Sequence, residues 1–102
     1  MDRYTLGADG KTPVREPDLM KWAEWFETAN RRVAWTEVGK AKVSTVFLAL
    51  DHSFSRKGPP ILFETMVFRE EGNETDCERC STWEEAERQH EAMVEKVRST
   101  QN

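Results

Sequence analysis

With 102 residues, the chain has enough material for one domain around one modest core and too little for two. Hydrophobic residues make up 37% and charged residues 33%, and four Trp with five Phe supply bulky core material, which excludes a disordered chain. A formal net charge of −4 argues against the basic face that broad nucleic-acid binding uses, and no apolar run approaches the roughly 20 residues of a membrane-spanning helix.

Residues 1–16 read as an extended arm. Tyr4 and Leu6 suit a short edge strand, Asp9-Gly10 is a turn signal, and Pro13 forbids a helix. The opening MDRYTLGADGK has no basic segment followed by an apolar one, so a cytoplasmic location is expected. A helix is predicted over residues 17–32, with Pro17 at its first position and Glu16 and Asp18 at the positive end of the dipole. Leu19, Trp22, Ala23, Phe26 and Ala29 form its apolar stripe, flanked by Met20 and Trp25, and Arg31 and Arg32 fall at its C-terminal end.

Residues 33–68 read as an antiparallel meander. In the first strand Val33, Trp35 and Glu37 face one side and Ala34, Thr36 and Val38 the other, before a tight turn at Gly39-Lys40. Two β-rich runs follow, joined by a polar loop with Gly58-Pro59-Pro60. In the first run Val46, Leu48, Leu50, His52 and Phe54 alternate with Thr45, Phe47, Ala49, Asp51 and Ser53. In the second, Leu62, Glu64, Met66 and Phe68 alternate with Ile61, Phe63, Thr65 and Val67. Both faces carry large apolar groups, whereas a sheet with one wet face alternates with polar residues. The second face must meet the arm, a ligand or a second subunit, and a symmetric homo-oligomer through the sheet is the expected solution.

Residues 69–80 read as an acidic loop. From Arg69 onward there are ten acidic and five basic residues. A second helix is predicted over 81–98, capped through Thr82-x-x-Glu85 or Ser81-x-x-Glu84, with Trp83, Ala86, His90, Met93, Val94 and Val97 along its apolar stripe. The expected class is α+β: a meander of three to four strands with an N-terminal and a C-terminal helix packed on one face.

Candidate site residues are few. Asp51, His52 and Glu64 lie toward the loop end of the central hairpin, and pairing His52 with Leu62 would make His52 and Glu64 diagonal neighbours. Such a pair can bind a cation, orient a ligand, or act as base and acid in a small hydrolase. No P-loop, Rossmann glycine motif, HExxH or GxSxG accompanies them, so no catalytic residue is assigned and a non-enzymatic role is expected. Arg31 and Arg32, with Lys40 and Lys42 nearby, form a basic group beside Trp35 that could grip a phosphate and stack a base. Cys77 and Cys80 form one C-x2-C pair, short of the four ligands of a structural zinc site, so neither a metal nor a cofactor is expected. His90, on an apolar stripe, reads as a hydrogen-bonded core histidine.

The words VSTVFLALDHSF, ILFETMVF and STWEEAERQH resemble a family of short uncharacterised proteins of tailed bacteriophages, prophages and plasmid-like regions. So do the opening MDRYTLGADGKTPVREPD and the block WFETANRRVAWTEVG, and together these words cover most of the chain. Related sequences carry an aromatic, usually tyrosine, where this chain has Cys80, which speaks against a required cysteine site. The resemblance implies a phage context, the cytoplasm of a bacterial host, and no particular chemistry. The resulting expectation is a small accessory protein that acts on the host by sequestering a nucleotide-like signal or blocking a host defence protein. The alternative is an acidic protein-interaction or nucleic-acid-mimic module built on the C-terminal third.

Overall fold

The computed structural model describes residues 1–54, 57–70 and 74–100. The chain is α+β, with antiparallel sheets of two and four strands and two helices. The expected arm closes into a hairpin of its own. Strand β1 (Tyr4–Leu6) pairs with β2 (Pro13–Arg15), Tyr4 opposite Arg15 and Leu6 opposite Pro13. Gly10, at φ 71°, takes the left-handed turn position, and Asp9 accepts from the backbone N–H groups of Lys11 and Thr12 and from the Thr12 hydroxyl.

Helix α1 runs Leu19–Thr28, shorter at both ends than the predicted 17–32. Asp18, not Pro17, sets its start, with Oδ1 accepting from Met20 N–H at 2.9 Å and Lys21 N–H at 3.2 Å. Ala29 is already extended, and Arg32 opens the next strand instead of closing the helix.

The larger sheet has the order β3 (Arg32–Val38), β4 (Ala41–Phe47), β5 (Phe63–Phe68), β6 (Glu74–Cys80). The β3–β4 turn is the predicted one, with Gly39 at φ 60°. A register shift between Arg32 and Ala34 absorbs Val33, so Arg32 rejoins the face of Trp35. β4 ends at Phe47 rather than running on to Phe54, because Ala49 turns at φ 66°. The acidic loop expected over 69–80 is a strand from Glu74 onward; residues 71–73 lie outside the described residues. A mostly charged edge strand resists pairing with other chains, and cross-strand charges hold this one in place. Arg79 pairs with Glu64 on β5 at 2.8 Å, and Asp76 pairs with Arg69 at 3.0 Å and Lys96 at 2.8 Å.

Helix α2 (Trp83–Ser99) starts where the capping box places it. Thr82 Oγ1 accepts from Glu85 N–H and the Glu85 carboxylate accepts from Thr82 N–H, each at 3.1 Å. Its buried residues Met93, Val94 and Val97 pack with Val38, Ala41, Val43 and Val67 of the sheet. A second cluster joins Phe47, Ala49, Leu62, Phe63 and Ala86, with Trp22, Trp25, Phe26 and Trp83 half-buried around it. Trp25 meets the Phe47 ring edge-on at 5.9 Å, and Phe47 lies 5.2 Å from Phe63. Phe47 and Phe63 are therefore core residues with no exposure, and the sheet face they occupy is covered within the chain and not open to a second subunit.

Along the α2 side of the sheet, a polar layer separates these clusters. Thr45 and Thr65 lie opposite each other, fully buried, with hydroxyls 2.7 Å apart. His90 places Nδ1 2.8 Å from Thr45 Oγ1 and Nε2 2.8 Å from Thr36 Oγ1, and Gln89 donates to Thr65 Oγ1 at 3.0 Å. Burial lowers the pKa of His90 and favours its neutral form. Every member of the chain has a partner, as a core polar network requires.

Candidate functional site

The residues beyond β4 build a cleft against the N-terminal segment. Ala49 is buried and has positive φ, a strained position for a residue with a Cβ. Its carbonyl accepts from Tyr4 N–H at 2.8 Å and from the Trp22 indole at 3.2 Å, so strand β1 and helix α1 both hold the kink. Leu50 then bridges to Arg3, and Asp51 N–H donates to the Asp2 carbonyl at 3.0 Å. The result is an open cleft of about 760 Å³ lined by Asp2, Tyr4, Asp51, His52, Ser53 and Phe54, among others.

Asp51 staples this loop. Its Oδ1 accepts from Ser53 N–H at 2.8 Å and from Ile61 N–H at 3.0 Å. The His52 ring places Nδ1 2.8 Å from the Leu50 carbonyl. A carbonyl only accepts, so Nδ1 carries the proton and Nε2 is the acceptor of the neutral ring. Asp2 is bridged to Arg15 at 3.3 Å, and the Phe54 side chain is wholly exposed. Carboxylates, an imidazole acceptor and two aromatic rings suit a cation or a hydrogen-bond donor on an apolar stem. A phosphate would meet the charge of Asp2 and Asp51.

The other predicted site residues lie elsewhere. The register pairs Phe47 with Phe63 and Val46 with Glu64, not His52 with Leu62. Glu64 sits inside β5, bonded to Arg79, while His52 lies beyond the end of β4, so the diagonal His52–Glu64 pair does not form. Arg31 donates to the Phe47 carbonyl at 3.1 Å and stacks over the Phe26 ring at 4.1 Å, which fixes it as a joint between α1 and the sheet. Arg32 lies over the Trp35 ring at 4.8 Å. Arg32, Trp35 and Glu64 share the sheet face opposite the Thr45–Thr65 layer, apart from the cleft. Lys40 pairs with Glu70 at 3.5 Å.

Cys77 and Cys80 occupy opposite faces of β6, Cys77 across from Met66 and Cys80 across from Phe63. Burial pushes the Cys80 thiol up to about 11. Among the described residues, no three His, Cys, Asp or Glu side chains gather to hold a metal ion, and no helix is long and apolar enough to cross a membrane. Sequence reasoning missed Asp2, Tyr4 and Phe54 as cleft residues, since no local pattern shows that the N-terminal hairpin folds back on the loop. Comparison with protein-family models, curated proteins and solved structures finds no match.

Proposed function

We propose that this chain is a small, non-enzymatic accessory protein of phage type that acts on its bacterial host by gripping a host protein in the cleft beyond β4. The observation that carries this reading is the composition of that cleft. Asp2, Asp51 and the His52 acceptor ring a space flanked by Tyr4 and by Phe54 at full exposure. An aromatic side chain standing in water is the kind of anchor that dominates protein interfaces once buried by a partner. A lysine or arginine of the partner would supply the matching cation, its stem lying on the rings. Sequestration of a nucleotide-like signal draws less support, because Arg31 is spent inside the fold and the cleft carries carboxylates. We read both helices as packed on one sheet face, with the cleft past the strand ends.

A photo-crosslinking amino acid placed at position 54, in cells where the protein acts, tests this. Crosslinking of one host protein, lost when His52→Ala and Asp2→Asn are combined, is the expected result. Crosslinking from position 87 but not 54 would instead favour the acidic-module reading. Exposure of Glu84, Glu87 and Glu91 along α2 is the observation behind that alternative.

A further inference from the structure

The sheet face opposite the Thr45–Thr65 layer carries an ordered pattern. From the strand registers, three rows of side chains cross it. One is Arg32, Val46, Glu64 and Arg79; the middle one is Trp35, Ser44, Met66 and Cys77; the third includes Glu37, Lys42 and Phe68. Trp35 is 40% exposed and Phe68 39%, and Val46 and Met66 on the same face are half-buried. The charges alternate in sign, a distribution unlike the uniform basic field that nucleic acid requires.

We propose that a second copy of this chain covers this face. The two sheets stack about a two-fold axis that runs along the middle row, across the strands. That operation lays β3 on β3 of the second copy in the opposite direction. The first row of each copy then meets the third row of the other. Arg32 faces Glu37 of the second copy, twice by symmetry, and the stem of Lys42 covers Val46. The middle row meets itself, Trp35 on Trp35, Met66 on Met66 and Cys77 on Cys77. The other two-fold axis in the interface plane, parallel to the strands, would lay β3 on β6 and Arg32 on Arg79, setting like charges together. Charge complementarity thus fits a second copy in the first orientation and not in the other.

Stacked sheets lie about 10 Å apart, a gap that Arg and Glu side chains span together. Four strands give a planar footprint of roughly 400 Å². That is small beside a standard interface, so the dimer is a weak one that forms at high protein concentration. The inference does not depend on what the cleft takes, because the cleft lies past the end of β4.

Sedimentation equilibrium over roughly 10 μM to 1 mM, the range a small interface calls for, is the test. The wild type reaches twice the 11.9 kDa chain mass. Arg32→Glu and Glu37→Arg each weaken association about tenfold or more, and the double swap restores it. Both positions are exposed, and unchanged circular dichroism in all variants separates association from folding. A bismaleimide with a spacer of about 8 Å links Cys77 to Cys77, since sheets some 10 Å apart hold the thiols beyond disulfide reach. Cys77→Ser abolishes the link but not the dimer. A wild type that stays monomeric at the highest concentration overturns the inference. So does a dimer that both single swaps leave intact, or one that crosslinks only through Cys80.

Discussion

Thr45→Val isolates the polar layer in the core. The two side chains are nearly the same shape, so the change deletes one hydroxyl and adds one methyl without opening a cavity. Thr45 has no exposure, and its Oγ1 serves both Thr65 at 2.7 Å and His90 Nδ1 at 2.8 Å. Thr65 keeps Gln89 as a partner, but His90 Nδ1 loses the partner it has in the structure. Leaving one buried polar group unsatisfied costs about 1–3 kcal/mol. Burial of the added methyl offsets about 0.8 kcal/mol. The net expectation is a loss of about 0.2–2.2 kcal/mol, or a fall in Tm of about 1–18 °C for a domain of this size. Urea unfolding followed by tryptophan fluorescence should show a lower midpoint with an unchanged slope. A midpoint equal to or above the wild type would show that the hydroxyl chain is not formed as described.

The same layer sets a pH dependence. Burial lowers the His90 pKa, so the unfolded chain binds the proton more readily; stability is full above about 6.5 and is lost as pH falls through the folded value. His90→Gln should flatten the profile below pH 6.5, about the unperturbed histidine value, and an unaltered slope would contradict the assignment. Thr82→Ala breaks the capping box and should cost about 1 kcal/mol, whereas Ser81→Ala should be close to neutral; equal effects in thermal melts would misplace the start of α2. Cys80, pushed up to about 11, should alkylate far more slowly at pH 8 than exposed Cys77, and mass spectrometry after brief iodoacetamide treatment reads the order.

What the sequence disclosed follows the strength of local signals. The stripe and capping box of α2, the Gly39-Lys40 turn and the alternation through Thr45–Phe47 and Phe63–Val67 depend on neighbours close in sequence, and each matches the structure. Strand β6 was illegible because ETDCERC offers neither apolar alternation nor β-branched density; partners far along the chain stabilise it, through Glu64, Arg69 and Lys96. The end of β4 was hidden for a different reason. Ala49 takes a backbone conformation that a glycine or asparagine would have advertised. That kink broke the parity extended to His52 and separated it from Glu64, while keeping Asp51 and His52 together in the cleft. The bulge at Val33 similarly moved Arg32 onto the Trp35 face.

The claim that the cleft beyond β4 grips a host protein is tested most directly by native mass spectrometry of the protein isolated gently from the cells in which it acts. The account predicts an added mass of polypeptide size, bound to the wild type and absent from Phe54→Asp. An added mass of nucleotide size, or a bound polypeptide indifferent to Phe54→Asp, would contradict it.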